Sequence, residues 1–438
     1  MMKNTFNIHN HEIYISNTSV RTLASECSTP LYIYDLPALK QRMAEFKDHF
    51  VSNTLKTHVI YASKAFSCLA MNQLVSQFGF SLDVVSGGEL YTALQSNFDL
   101  SRVYFHGNNK SDDELNMAIE LGVGTIVVDN LMEAKRLVRF CENPKHKIHV
   151  LLRVNPGIEA HTHKYIQTAF IDSKFGISTL DTDEIKAVID TIQTNSNLQF
   201  DGFHAHIGSQ IFELDAFKAE IEKICQFVQE FQNQTKIQVR TLDFGGGFGI
   251  RYTDEDQPVE IALVCKTIVS EAEKQIAAYE LSVEEICIEP GRSIIAEAGY
   301  QLYTIGDLKQ TPNRNYIFVD GGMTDNIRPV LYQADYDFDI ATNADAPKTK
   351  TVCIAGKCCE SGDLLAENTL VQPYQTNDLL LVSSTGAYGY SMASNYNKLA
   401  IPSVVFVDHG KIIPIIKRQT YQDLIQRENL IDQDLFSL

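Results

Sequence analysis

Short apolar runs recur between residues 57 and 290, and a helical stretch follows most of them. The runs fall at 57–62, 82–85, 102–106, 125–128, 149–155, 203–207, 242–244 and 285–289. Between them, Phe217, Ile221, Ile224, Cys225, Val228 and Phe231 repeat at helical spacing, which predicts a helix over 215–232. Ser86 with Glu89, and Ser111 with Glu114, match the S-x-x-E pattern of a capping box and predict helix starts. Eight strand–helix units predict a parallel (β/α)8 TIM barrel. An open doubly wound sheet alternates the same elements, and the count of eight favours the barrel.

After residue 290 strand-like runs appear without long helices between them, at 316–320, 351–355, 379–382 and 404–407. Asp408-His409-Gly410 followed by 411–416 predicts a hairpin. The region reads as a C-terminal all-β domain, a β-sandwich or β-barrel. The strand-like segments 12–15 and 31–34 precede the barrel and are expected to join the C-terminal sheet. The expected domains are therefore 36–290 for the barrel, and 1–35 with 291–438 for the β domain.

Composition narrows the function classes. Lys+Arg number 37 against 55 Asp+Glu, a net charge of −18, so no basic stripe is available to neutralise phosphates and nucleic acid is not an expected partner. No apolar run approaches the roughly 18 residues of a membrane span. The first residues, Met1-Met2-Lys3-Asn4-Thr5, lack an apolar signal core. Nine scattered cysteines without a CxxC pair suit reduced thiols. The expected location is the cytoplasm.

Catalytic groups of such a barrel lie at the carboxyl ends of its strands. The first strand runs into Tyr61-Ala62-Ser63-Lys64. Taken alone, Lys64 reads as a solvated loop residue; half-buried, it would be a nucleophile for carbonyls. The seventh run leads into Gly245-Gly246-Gly247-Phe248-Gly249, and the eighth into Glu289-Pro290-Gly291-Arg292. The glycine run is neither a dinucleotide fingerprint nor a P-loop, but beside Gly291 and Arg292 it suits a phosphate monoester, with Ser209 as a further donor. His206 is expected at the end of the sixth strand, on the same face as His204. The pair is open to two readings, a metal pair or one imidazole packed flat on a ring. His161 and His163 form a second pair, and Cys358-Cys359-Glu360 offers further ligand types, but no spacing requires a metal and none is expected. A lysine, a phosphate cradle, a group to pack on a planar ring and a lone acid are the parts of a pyridoxal phosphate site.

Many segments in order carry a family resemblance. They include Tyr61-Ala62-Ser63-Lys64-Ala65, Asp83-Val84-Val85-Ser86-Gly87-Gly88-Glu89-Leu90, Phe105-His106-Gly107-Asn108-Asn109-Lys110-Ser111 and Arg153-Val154-Asn155-Pro156-Gly157. They continue with His161-Thr162-His163-Lys164-Tyr165, Asp172-Ser173-Lys174-Phe175-Gly176 and Asp320-Gly321-Gly322-Met323. Ile327-Arg328-Pro329-Val330-Leu331-Tyr332, Gly356-Lys357-Cys358-Cys359-Glu360-Ser361-Gly362-Asp363 and Gly386-Ala387-Tyr388-Gly389-Tyr390 complete the series. The chain resembles the diaminopimelate decarboxylases, of the alanine-racemase-like (fold type III) pyridoxal enzymes that also include the class-II ornithine, lysine and arginine decarboxylases.

The resemblance implies the following roles. Lys64 forms the Schiff base with pyridoxal 5'-phosphate, His206 stacks on its ring, and Asp83 and Arg153 line the ring side. Ser209, Gly245, Gly246, Gly247, Gly291 and Arg292 hold the phosphate with help from Tyr388, and Glu289 pairs with the ring nitrogen. Arg292, Arg328, Tyr332, Glu360 and Tyr388 contact substrate, and Cys359 is the proton donor. Cys359 and Glu360 come from the partner subunit of a head-to-tail homodimer. The implied activity is a carboxy-lyase one, meso-diaminopimelate giving L-lysine and CO2. Rivals are a racemase, which Glu289 disfavours because racemases pair the ring nitrogen with a cation, and a decarboxylase of another basic amino acid, which Arg328 disfavours. A non-catalytic homologue is disfavoured by the intact Lys64, His206, Glu289 and Cys359.

Overall fold

The strands expected between residues 57 and 290 pair side by side and close into a ring. The computed structural model describes residues 5–142, 144–157 and 173–432. They form two units, one of Pro37–Ala298 and one that joins the residues before Pro37 to those after Ala298. In the first unit Lys56–Ala62, Ser81–Val84, Val103–Phe105, Thr125–Val128, Ile148–Asn155, Leu198–His204, Thr241–Asp243 and Glu285–Ile288 pair in that order, all parallel, and the eighth returns to the first. The second, third, fourth and seventh barrel strands are buried at every residue. Burial on both faces is why these segments read as continuous apolar runs instead of alternating ones. Ile60, Tyr104, Val127, Leu151 and Cys287 pack together as an interior cluster.

Register then places the polar residues. Arg153 lies opposite His204, His204 opposite Asp243, and Asp243 opposite Cys287. Directly paired residues of neighbouring parallel strands share a face, so these polar side chains belong to the interior side with Cys287.

The sixth strand differs from its expectation. It runs from Leu198 to His204 rather than over 203–207. Ala205 N–H still bonds Asp243 O at 2.8 Å, but Gly208 and Gln210 then adopt φ +149° and +63° and the chain turns away. His206 therefore lies in the loop beyond the strand. Helix starts are close to expectation. Ser111 and Glu114 form the full capping box. Ser86 accepts from Glu89 N–H, whereas the Glu89 carboxylate reaches Val85 N–H at 2.7 Å, so only half of that box forms. The expected helix over 215–232 is Leu214–Thr235.

In the second unit the long strand Gly299–Gln310 pairs antiparallel with Leu31–Asp35, Asn315–Val319 and Leu379–Val382. Leu31–Asp35 in turn pairs parallel with Ser403–Asp408, so an N-terminal strand sits inside the C-terminal sheet, as expected. Glu12–Ile15 departs from the expectation. It pairs with Asn7–His9 and Thr18–Ser19 in a separate three-stranded sheet. Its Ile13 and Ile15 pack with Leu31, Ile33, Leu302 and Leu381, so the apolar face joins the same core without the backbone joining the same ladder. The expected hairpin forms with Asp408 opposite Lys411. Its two turn residues, His409 and Gly410, have φ +49° and +91°, the left-handed geometry that matches strand twist in a two-residue turn.

One buried acid in the barrel unit has no evident partner among the described residues. Glu220, on Leu214–Thr235, is 0% exposed and neither carboxylate oxygen is hydrogen-bonded. Burial pushes its carboxyl well above the usual range. The folded chain thus keeps a proton that the unfolded chain releases. The associated stability is full in acid and is lost as pH rises through the raised value. Glu220→Gln should raise Tm by a few degrees at pH 7 and by much less at pH 4. Thermal melts at the two pH values test this; the same Tm difference at both, or none, contradicts it.

Candidate active site

Three loops at the carboxyl ends of the sixth, seventh and eighth strands interlock. Gly246 N–H donates to His206 Nδ1 at 3.2 Å, Ile211 N–H to Gly247 O at 2.9 Å, and Glu289 N–H to Gly245 O at 2.7 Å. Gln210 and Ile250 bond reciprocally at 2.8 and 3.2 Å. The glycine run itself leaves no room for side chains at Gly245 and Gly246. A Cβ at Gly245 would lie 2.7 Å from Ala205 O, and one at Gly246 would lie 2.3 Å from Glu289 O. Gly245 and Gly247 also take φ +63° and +99°, which glycine adopts without strain. Ser209 Oγ accepts from Arg292 Nη2 at 2.9 Å, and the buried Arg292 also reaches Tyr252 OH. Hydroxyl, guanidinium and tightly drawn glycine backbone form one donor-rich corner, a donor set suited to a phosphate dianion.

Below that corner lies a buried acid–imidazole cluster. Glu289, immediately past the eighth strand, is 9% exposed. His204 Nε2 is hydrogen-bonded to Glu289 Oε2 at 3.1 Å, and His106 Nε2 lies 2.8 Å from Oε1. The two imidazoles stand edge to face with centroids 4.9 Å apart. One ligand atom from each of His106, His204 and Glu289 falls within 4.8 Å of the others, close enough for a metal; the same spacing lets two imidazoles serve both oxygens of one carboxylate.

Burial alone would raise the Glu289 carboxyl, but His106 and His204 overturn that and hold it well below the usual range. Asp243 behaves oppositely: burial and the neighbouring Glu289 push it well above. Asp83 is also raised, by burial first, with His106 opposing and Glu289 adding to the shift. Burial lowers His204 to about 4, against the pull of Glu289. Of the three acids, Glu289 is the one held below the usual carboxylate range, while Asp83 and Asp243 are shifted above it.

The remaining barrel residues of interest lie around this cluster. Asp83 Oδ1 is buried without a hydrogen bond among the described residues, 3.9 Å from His106 Nε2. Arg153 stands over the Phe175 ring at 4.5 Å. Lys64 sits on the turn Ser63–Ala65, just past the first strand, and is exposed, the solvated rather than the half-buried of its two readings. The strand stops at Ala62, and it is Ser63 whose hydroxyl turns inward, donating to Asp83 O at 2.6 Å. His206, although beyond the strand, is held on the glycine loop by the Gly246 bond. Sequence reasoning missed His106, Asp243 and the clamp on Glu289. The rule that selected Lys64, the carboxyl end of a strand, selects His106 and Asp243 equally well.

In the second unit Arg328 begins the short helix Arg328–Tyr332, with its guanidinium 5.2 Å from the Tyr332 ring and 5.4 Å from the Tyr388 ring. Arg328 Nε donates to Tyr336 OH at 2.8 Å. Tyr388 itself has φ +62°. Cys359 and Glu360 are exposed on the turn after Lys350–Ala355, and Cys359 N–H donates to Asn397 Oδ1 at 2.8 Å. The Cys358 thiol is pushed up to about 12, by burial first and then by Asp363. His161 and His163 lie outside the described residues.

The donor corner, the ionised buried acid and the exposed lysine amine fit pyridoxal phosphate, and comparison with known proteins bears on that fit. Residues 36–296 match the family model of the pyridoxal-dependent decarboxylase pyridoxal-binding domain. The diaminopimelate decarboxylase of Bacillus subtilis is 46% identical over 421 residues, covering 96% of this chain and 95% of that one. That of Bacillus methanolicus is 48% identical over 399 residues, covering 91% and 92%. The crystal structure of the M. jannaschii diaminopimelate decarboxylase in complex with L-lysine superposes with TM-score 0.89 at 30% identity, covering 98% of each chain. The chain belongs to the pyridoxal-dependent decarboxylases and, among them, to the diaminopimelate decarboxylase family.

Proposed function

We propose that this chain is a carboxy-lyase that converts meso-2,6-diaminopimelate to L-lysine and CO2, the last step of lysine biosynthesis by the diaminopimelate route, with pyridoxal 5'-phosphate as cofactor. The observation that carries the reading is 46% identity to a diaminopimelate decarboxylase across 96% of the chain. In this barrel the cofactor supplies an electron sink for the pair released when the α-carboxylate leaves as CO2. Lys64 anchors it covalently through its amine. Ser209, Gly245, Gly246, Gly247, Gly291 and Arg292 hold its phosphate, with Tyr388. His206 packs on the ring, Asp83 and Arg153 line it, and Glu289 keeps the ring nitrogen protonated.

Substrate selection falls to Arg292, Arg328, Tyr332, Glu360 and Tyr388. The far end of meso-diaminopimelate carries a carboxylate and an ammonium, which Arg328 and Glu360 complement. The rings that flank Arg328 support this, since they hold its fork in one place. Cys359 donates the proton that replaces the lost carboxylate. The barrel of residues 36–290 is the cofactor domain, and 1–35 with 291–438 is the second. The working form is a homodimer in which Cys359 and Glu360 serve the barrel of the other subunit. No described helix is long and apolar enough to cross a membrane, and all nine cysteines are free, which supports a cytoplasmic location.

Purified enzyme should form lysine and CO2 from meso-diaminopimelate and be inactive on ornithine, lysine and alanine; turnover of one of these in its place contradicts the assignment. Lys64→Ala should abolish turnover, and borohydride should fix no pyridoxyl group to the protein, while phosphate-dependent cofactor binding persists in part. Near-normal turnover by this variant removes Lys64 from its role. For the shared site, Lys64→Ala and Glu360→Ala chains, each inactive, are allowed to exchange subunits. About half the dimers are then mixed and hold one intact site each, so activity should return to roughly a quarter of wild type. No recovery, with exchange confirmed by mass, contradicts the shared site.

A further inference from the structure

Glu289 is the pivot of the buried cluster, and the groups that face it come from five other strands. His106 follows the third strand, and His204 ends the sixth. Asp83, Arg153 and Asp243 face it from the second, fifth and seventh. His106, His204, Asp83 and Asp243 are 4%, 1%, 3% and 1% exposed, so water does not stabilise charge there. Two of these five groups approach the Glu289 carboxylate within 3.1 Å by nitrogen, one at each oxygen. Each carboxylate oxygen has two lone pairs, so both contacts leave capacity for a third donor.

We propose that His106 and His204 are positioning residues: each presents Nε2 to a different oxygen of Glu289, and together they fix the negative charge of the acid cluster on Glu289 and aim it at the cofactor's ring nitrogen. The inference rests on the pyridoxal phosphate reading above. Three acids crowd this interior, and the histidines decide which of them is charged. Among the described residues, neither Asp83 nor Asp243 has an imidazole nitrogen at hydrogen-bond distance from each of its oxygens. Asp243 Oδ1 instead accepts Gly245 N–H at 2.8 Å, which ties it to the glycine loop. The directions in which the three carboxyls shift agree with this division. Without the two donors the charge would be lost from Glu289 or shared with its neighbours, and the ring nitrogen would lose its counter-ion.

The test uses pyridoxal 5'-phosphate labelled with 15N in the ring, bound to wild type and to His106→Phe, His204→Phe, His106→Gln and His204→Gln. Phenylalanine keeps a ring and removes the donor; glutamine keeps a donor at similar reach. Wild type and the glutamine variants should show a pyridinium resonance. Each phenylalanine variant should move toward neutral pyridine, and its cofactor dissociation constant should rise about tenfold or more, as for loss of a charge-assisted hydrogen bond. A pyridinium resonance retained in both phenylalanine variants overturns the inference while leaving the cofactor reading intact. Failure of wild type to bind the cofactor overturns the cofactor reading itself. If a phenylalanine variant does not fold, 15N-histidine spectra of the wild-type holoenzyme decide. Protons on Nε2 of both rings support the clamp, and a bare Nε2 on either overturns it.

Discussion

A carboxylate moved out of water forfeits hydration worth several kcal/mol even after the protein relaxes around it. Glu289 is 9% exposed, inside a barrel whose neighbouring strands bring two more acids to the same place. Something must offset that cost or the group will take up a proton. The offset is local: two imidazole nitrogens within 3.1 Å, one for each oxygen. This arrangement requires three separate strands to end at matching heights, and the register between neighbours supplies that. Arg153, His204 and Asp243 lie opposite one another across the fifth, sixth and seventh strands. The charged end of the candidate site is thus built at rigid strand ends, while the donor-rich corner is built on loops.

Those loops are constrained in a different way. Glycines at 245 and 246 let backbone pack where a Cβ would collide with backbone oxygen at 2.7 and 2.3 Å. The same close approach draws the loop of His206 against the glycine run and seats Arg292 beside Ser209. Acid and donor-rich corner are coupled by a short path, since Glu289 N–H bonds Gly245 O at 2.7 Å.

Much of this was legible in the sequence. Continuous apolar runs announced strands buried on both faces, and their number announced the closed barrel. The glycine run and the Glu289 loop were found by position alone, and the family resemblance supplied roles that no spacing could. Other features depend on where a strand stops. His206 was expected on the sixth strand, but the backbone turns after Ala205, so alternation does not extend to it. Lys64 could be read as solvated or as half-buried; the turn at Ser63–Ala65 leaves it exposed and sends Ser63 inward. The clamp on Glu289 joins residues 106, 204 and 289, and such a distant meeting is set by barrel register rather than by any local pattern. Glu12–Ile15 shows the same limit for the second unit, where an apolar face identifies the core it joins but not the strand it pairs with.

The central claim is that Glu289 stays ionised in a buried site. Infrared difference spectra between wild type and Glu289→Gln, with glutamate isotope-labelled, report that state directly. Because His106 and His204 hold this carboxyl well below the usual range against its burial, the ionised carboxylate band should persist as pH falls through the ordinary carboxylate range. A protonated carboxyl band from Glu289 at neutral pH would contradict the account.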